Sequence, residues 1–272
     1  MDTFFNHHFW IRRGSIFILQ RIGSVNQYIP SYIYSLFFLV RNCAIFMVWT
    51  VDDSKGYTYR CVYDVSCVGA EKNESKNNIR NLKRGLERTR VIEIKFDDID
   101  FEYYCVYVKS CRIRGTSVNF TESQFISYLR KWVLMKNHAI YAAYCDNQLA
   151  AFMTVIYSET VAFGDVLYYD SSYSSRNPLW SLYYNIANMT LDKGFVEFDR
   201  GSQPLVHSTN IDDFLLKINF RKIPITYLSV SLPFARTAFS FMVFLLKIFP
   251  KLVPISLSKK VFALDFILNR EL

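Results

Sequence analysis

GFVEFDRGS from Gly194 to Ser202, the link QPLV, and HSTNIDDFLLKINFRK from His207 to Lys222 form the stretch on which the fold of this chain turns. Apolar and polar side chains alternate over residues 196–198, the period of a strand. A loop rich in hydrogen-bonding side chains follows. Acidic residues then open a helix that closes at Asn219, and a new strand begins. A polar, partly basic loop thus stands at the end of a strand, where mixed α/β folds carry their sites.

Upstream, Pro178 opens another helix that includes Trp180, Tyr183 and Ile186, runs through Leu191 and is stopped by Gly194. Before it the pattern is β: residues 138–145, a tight turn at Asp146, Asn147 and Gln148, residues 149–157, and residues 161–169. Three antiparallel strands in succession make a meander, and the whole order becomes β-β-β-α-β-α-β. Residues 121–136 read as a helix capped by Thr121, with Phe125, Tyr128, Leu129 and Trp132 on one face. Residues 101–109 form a shorter helix before it, residues 91–95 a strand, and residues 71–90 a polar helix capped near Asn73 or Ser75. In the first 71 residues, strands are expected at 17–22, 44–51 and 57–65, the last two pairing as a hairpin, with a helix opened by Pro30. No internal repeat is visible.

Asn219-Phe220, closing the helix before a strand, resembles the Gly-Phe that starts the corresponding strand of GNAT-type acyltransferases. More narrowly, the chain is similar to the GNAT-like acyltransferases related to the Fem peptidoglycan aminoacyltransferases. His207 to Ile211 with Phe214 and Leu215 looks like the loop-to-helix motif of a bacterial subgroup, and Ser75 to Leu86 resembles the basic helix that opens the acyltransferase region there. The resemblance covers residues 72–227. It implies an α+β (mixed α/β) fold with a central, mostly antiparallel sheet flanked by helices. The expected division is a strand-rich lead-in over residues 1–71, a GNAT-like domain over 72–230 and an apolar, basic helical tail over 231–272.

Composition suits a folded body: 51% of the 272 residues are hydrophobic and 21% charged, while nine glycines and seven prolines leave no room for long linkers. A net charge of +8 points to an anionic partner: a phosphorylated cofactor, a nucleic acid or an acidic membrane surface. Cys43, Cys61, Cys67, Cys105, Cys111 and Cys145 form no Cys-x-x-Cys pair and have no His at ligand spacing, so no metal site is expected and the thiols read as free. The N-terminus lacks a signal-peptide pattern, so export is not indicated and a cytoplasmic protein, with or without membrane association, is expected. Apolar stretches at 28–51 and 237–257 are interrupted by Arg41 and Asn42 and by Lys247, Pro250 and Lys251. Neither reads as a span of roughly 20 residues, and the second suits a helix packed on the body or lying at a membrane surface.

The resemblance locates the chemistry at residues 161–176. In that family the end of a long strand splays from its neighbour, backbone N–H groups hold the acyl donor, and the following turn and helix N-terminus take its pyrophosphate. Here the turn is YDSSYSSRNP, Tyr169 to Pro178, with hydroxyls and one Arg but without the family's glycines. Acyl-CoA is therefore one candidate co-substrate beside an acyl carrier protein or an aminoacyl-tRNA. Acyl transfer needs a base, oxyanion donors and an acid. His207 is the candidate base or substrate orienter, Arg200 the anion or oxyanion contact, and Asp170 the third catalytic candidate. Tyr168, Ser172, Tyr173, Thr209 and Asn210 are candidates for substrate binding, and Ser174, Ser175, Arg176 and Lys217 for the donor's phosphates. Lys217 stands two residues beyond the place where Fem-type enzymes carry a Lys. Other readings are structural: His207 as a helix cap, Arg200 paired with Asp199, the tyrosines in the core.

The expected function is N-acyl or aminoacyl transfer to an amino group of a small or cell-envelope precursor. The acceptor is a small molecule or lipid-linked, and the tail is a candidate for peripheral membrane contact. An RNA-binding protein, suggested by the basic run Lys76, Arg80, Lys83, Arg84, Arg88 and Arg90, and a catalytically inactive GNAT-fold scaffold are the alternatives.

Overall fold

The computed structural model describes residues 10–13, 18–25, 32–44, 46–52, 55, 58–64, 75–158, 161–202, 209–232, 234, 237, 241 and 244. Among these, the elements run β1 (Trp10–Arg13), β2 (Ile18–Val25), α1 (Tyr32–Arg41), β3 (Phe46–Asp52), β4 (Thr58–Asp64), α2 (Lys76–Arg88), β5 (Arg90–Glu93), α3 (Phe101–Ile113) and α4 (Glu122–Leu134). They continue with β6 (His138–Cys145), β7 (Gln148–Ser158), β8 (Val161–Tyr169), α5 (Pro178–Asp192), β9 (Glu197–Ser202), α6 (Thr209–Lys217) and β10 (Arg221–Ser231). The chain divides into two units. Met1–Arg60, Ser202–Thr209 and Lys222–Leu272 make the first; Cys61–Gly201 and Asn210–Arg221 make the second.

In the first unit the strand order is β1-β2-β3-β10. Met47, Trp49 and Val51 alternate along β3, Leu228 and Val230 along β10, so each strand turns one face to the same core. Phe38 and Leu39 of α1 and Ala44 complete it. The expected hairpin between 44–51 and 57–65 does not form. β3 pairs instead with β2, parallel, and with β10, antiparallel, in a register that sets Met47 opposite Val230 and Trp49 opposite Leu228. Matching two apolar alternations across a long sequence separation outweighs the short turn that suggested the hairpin.

In the second unit the order is β4-β9-β8-β7-β6-β5. Strands β6 to β8 form the antiparallel meander read from the sequence, β5 pairs with β6 antiparallel from beyond α3 and α4, and β9 joins β8 in parallel. Parallel pairing is confined, among the described pairs, to β2/β3 and β8/β9, so the mixed α/β, mostly antiparallel expectation holds. Residues 149–158 of β7 are buried without alternation, as in a strand covered on both faces. Tyr103 and Phe125, from α3 and α4, pack on Phe152 with ring centroids 5.0 and 6.4 Å away. Tyr107 stacks on Phe125 at 4.2 Å and meets Tyr168 edge-on at 5.6 Å. Each buried ring contributes roughly 1.5–3 kcal/mol by area alone, so this cluster anchors α3 and α4 to the sheet. Thr121 caps α4 as expected: its Oγ1 accepts the Gln124 N–H at 3.4 Å and Gln124 Oε1 accepts the Thr121 N–H at 3.0 Å.

Four helices end in one motif, in which a left-handed residue lets the next N–H reach back to a carbonyl of the last turn. The residues are Cys43 after α1, Gly115 after α3, Gly194 after α5 and Asn219 after α6. Their closing bonds are Ala44 to Leu39, Thr116 to Cys111, Phe195 to Thr190 and Phe220 to Leu215, at 2.9, 2.9, 3.1 and 3.0 Å. Asn tolerates this conformation better than other non-glycine residues, which is why Asn219 can occupy a position where glycine is usual. Helix α3 runs to Ile113, beyond the expected 109, because Ser110 and Cys111 still face the core and the stop comes only at Gly115.

Of residues 231–272, expected as a helical tail, Ser231 instead ends β10 and Leu232 follows it, positions 234, 237, 241 and 244 are helical, and the others lie outside the described residues. No helix among the described residues is long and apolar enough to cross a membrane.

Helix α2 crosses the start of α5 at Gly85, where a Cβ would meet the Asn177 carbonyl oxygen at 2.7 Å and the Ser181 nitrogen at 3.3 Å. Only glycine allows backbones so close. Gly85→Ala should therefore lower stability by about 1–3 kcal/mol, even though alanine favours a helix over glycine by about 1 kcal/mol. The urea midpoint reads this: a variant as stable as the parent, or more so, would show that α2 does not press on α5.

Candidate active site

Strands β8 and β9 pair at Val161↔Glu197, Ala162↔Phe198 and Phe163↔Asp199, and no further. β8 continues to Tyr169, so the two strands part beyond Phe163. The cause lies on the other side of β8. Its register against β7 jumps from Val155↔Gly164 to Met153↔Leu167, a bulge that places two β8 residues opposite Thr154. The Thr154 hydroxyl fills the gap, accepting the Val166 N–H at 3.0 Å and donating to the Val166 carbonyl at 3.4 Å. Gly164 sits at the fork, where a Cβ would meet Met153 Sδ at 3.0 Å and the Phe198 ring at 3.2 Å.

A strand edge opened in this way exposes carbonyl groups that must find donors. Two arginines supply them. Arg200, on β9, donates from Nη1 to the Gly164 carbonyl at 2.7 Å and to the Asp165 carbonyl at 3.4 Å, and from Nε to the Tyr183 hydroxyl at 2.8 Å. Arg114, at the end of α3, donates from Nη2 to the Leu167 carbonyl and to Ser110 Oγ, and its guanidinium lies 5.7 Å from the Tyr168 ring centroid. These partners are neutral, so they leave the charge of both guanidiniums in place. Burial lowers the pKa of Arg114, and the Arg200 charge pushes the same way. With a reference value above 12 it stays protonated. The opening between β8 and β9 thus carries two positive charges aimed along one strand edge, suited to a carboxylate, a phosphate or a developing oxyanion.

The residues singled out in the sequence are placed unevenly. Arg200 is in the opening, with β8 carbonyls and Tyr183 as partners where Asp199 had been considered. Tyr168 is 9% exposed, wedged among Phe152, Tyr107 and Phe125, and burial raises its pKa. Asp170 is 4% exposed and fully engaged: Oδ2 accepts from Lys109 Nζ at 2.7 Å, and Oδ1 accepts from the Ser172 N–H at 3.0 Å and its hydroxyl at 2.8 Å. It caps the 3-10 turn Ser171–Arg176. Tyr173 donates to Gln148 at the start of β7, Ser174 bonds Tyr169, Ser175 is exposed, and Arg176 pairs with Asp146 at 2.9 Å. Thr209 and Asn210 begin α6, where their side chains lie outside the described set, as His207 does altogether. Lys217 lines a cleft of about 550 Å³, counted with its open side, together with Leu82, Trp180, Tyr184 and Ile218.

The helix start expected to hold a pyrophosphate is poorly equipped for it. Pro178 has no N–H, the Trp180 and Ser181 N–H groups turn back to the Asn177 carbonyl at 3.2 and 3.5 Å, and α2 lies across the position at Gly85. No group of three or more His, Cys, Asp or Glu that could hold a metal ion occurs among the described residues. Arg114, Thr154, Lys109 and Tyr183 were not legible as site residues. Arg114 carries a weak signal, a basic residue beside the helix-stopping Gly115, but its reach to β8 depends on how α3 packs.

Among solved structures, the chain is similar to FemX, with a TM-score of 0.56 at 6% identity over 82% of this chain and 83% of that one. The C-terminal (DUF2156) domain of a protein described as a lysylphosphatidylglycerol synthetase, from Agrobacterium fabrum, gives 0.55 at 14% identity, covering 86% and 82%. L-PGS from Bacillus licheniformis gives 0.54 at 12% identity, covering 96% and 85%. The chain therefore shares its fold with FemX and with these two proteins, in keeping with the GNAT-like, Fem-related fold that the motifs around Asn219 implied. No protein-family model matches the sequence, and neither does any curated protein.

The Lys109–Asp170 pair fixes the turn that leaves β8, and it makes stability depend on pH. Burial alone would raise the Asp170 pKa, but the Lys109 ammonium and the two Ser172 donors hold it below the ordinary value. A depressed carboxylate pKa stabilises the fold above its unfolded value of about 3.9 and loses that contribution as pH falls through the folded value. The hydrogen bond to Asp170 raises the Lys109 pKa, so its contribution is complete below about 10.4 and is lost at higher pH. Thermal melts of Asp170→Asn should show a lower Tm across the neutral range and a smaller fall than the parent below pH 4. Equal acid slopes in the two proteins would refute the assignment.

Proposed function

We propose that this chain is an acyltransferase that moves an aminoacyl group onto an amino group of a small or envelope-precursor acceptor, with the reaction centred on the opening between β8 and β9. The observation that carries this reading is the pair of guanidiniums, Arg200 and Arg114, held along the freed β8 edge by its own carbonyls. Its GNAT-like fold, shared with FemX and with a protein described as a lysylphosphatidylglycerol synthetase, supports the same class.

The chemistry follows from charge. The acceptor nitrogen bonds to the ester carbonyl carbon of the donor, the carbon–oxygen bond to the donor breaks, and the proton lost by the amine ends on the departing oxygen. Negative charge builds on the carbonyl oxygen between these steps. A guanidinium has five N–H donors. Arg200 spends Nε and Nη1 on the fold and Arg114 spends Nη2, so each keeps donors for that oxygen, held by bonds that need no rearrangement during reaction. His207 remains the proposed base.

An aminoacyl ester of RNA is favoured over acyl-CoA as the donor by the start of α5, where proline, the returning amides and α2 leave little to hold a pyrophosphate. The net charge of +8 suits a polyanionic donor. A cytoplasmic site of action, and a lipid-linked acceptor as one form of the envelope precursor, belong to the same proposal.

Thermal shifts with coenzyme A, acyl-CoA esters, charged tRNA and uncharged tRNA test it, because a ligand of the native state must raise Tm. Charged tRNA should stabilise more than uncharged tRNA, and Arg200→Ala should remove the difference. With a substrate in hand, Arg200→Ala or Arg114→Ala should each slow turnover on the order of 100-fold, and His207→Ala should flatten the acid limb of the pH–rate profile. Stabilisation by acyl-CoA beyond that of coenzyme A would replace the donor. No response to any of them would favour the inactive scaffold.

A further inference from the structure

Helix α1 of the first unit is ten residues long and apolar on both sides. Its inner side, Phe38 and Leu39, is packed against β3 and β10. Its outer side carries Ile33, Phe37 and Val40, spaced one helical turn apart, with Tyr34 beside them, and these are 77%, 67%, 64% and 69% exposed. Soluble helices turn charged residues outward; the charge in α1 is limited to Arg41 in its last turn. The same unit contains a second face of this kind, with Phe234, Phe241 and Phe244 at helical spacing and 67%, 61% and 56% exposed.

We infer that the outer face of α1 is a docking surface for an anionic phospholipid bilayer, in which the helix lies in the plane of the interface. Ten residues at 1.5 Å each extend only about 15 Å, half of the roughly 30 Å hydrocarbon core, so the helix cannot cross. An interfacial helix needs what α1 shows: bulky aliphatic and aromatic side chains on one side and a cation at its end, in a protein whose net charge of +8 complements acidic headgroups. A second copy of this chain is a poorer occupant. With aromatic side chains offering roughly 150–250 Å² each, the four exposed side chains of α1 present about 500 Å², short of the ~800 Å² per partner of a stable interface. A bilayer requires no matched shape and accepts separate apolar faces. This inference stands apart from the acyl-transfer reading, since binding to lipid is measured without turnover.

Sedimentation with vesicles of phosphatidylcholine alone and of phosphatidylcholine with phosphatidylglycerol tests it, using the full chain. The protein should partition onto the phosphatidylglycerol vesicles and more weakly onto the neutral ones. Ile33→Ser combined with Phe37→Ser should weaken that partition at least about tenfold, given what two buried apolar side chains contribute. Both side chains are exposed, so the variant should melt at the parent's temperature. Since an unfolded variant would mislead, Arg41→Glu provides a second arm, lowering only the binding to the acidic vesicles. Failure of the parent to bind, or binding unchanged by the serine substitutions, would overturn the inference. A concentration-dependent dimer that the same substitutions dissolve, without vesicle binding, would assign the face to a second copy.

Discussion

A parallel pair of strands that separates while one of them runs on leaves backbone carbonyls facing a gap, and a buried carbonyl without a donor costs as much as a lost hydrogen bond. In this protein the gap is created by a bulge at Thr154 and kept open by Arg200 and Arg114, whose guanidiniums satisfy Gly164, Asp165 and Leu167. The rest of the second unit is arranged around holding those arginines. Tyr183, buried in α5, receives Arg200 Nε, and α3 is pinned by the Tyr103, Tyr107 and Phe125 cluster so that its last turn presents Arg114 to β8. The Lys109–Asp170 pair then fixes the turn through which β8 leaves the opening.

This arrangement gives the arginines two duties at once. As backbone donors they are structural; as cations beside an open strand edge they form an anion-binding surface. The double role explains why a cation sits so near the core. Its hydrogen bonds to carbonyl dipoles recover part of the cost of burial, and only the remaining donors face the opening. The fold can therefore hold positive charge in place before any substrate arrives, which is the condition for electrostatic stabilisation of a transition state.

Much of the architecture was legible in the sequence because it depends on local patterns. The meander from His138 to Tyr169, the cap at Thr121, the proline start of α5 and the left-handed stops at Gly194 and Asn219 follow from periodicities and turn chemistry that act within a few residues. The site was legible only in part. Arg200 could be read as a cation at a strand end, and Asp170 as an acid in a polar turn, but only packing shows that the first lines the opening and the second is spent on Lys109 and Ser172. Arg114 carried only the weak signal of a basic residue beside a helix stop, because nothing near it in the chain marks the strand it reaches, 53 residues away.

The sequence by itself determined the order of elements from α2 to β10, the helix stops at Gly194 and Asn219 and the absence of the glycines that a pyrophosphate loop would need, since each is a property of neighbouring residues and of allowed backbone angles. Tertiary structure alone decided which strands pair and which charges meet. β3 takes β10 in place of the nearby β4 segment because apolar faces select partners by complementarity, whatever the distance along the chain. Two arginines 86 positions apart converge for a similar reason: a strand edge opened by a bulge requires donors, and helix packing determines which side chains are within reach.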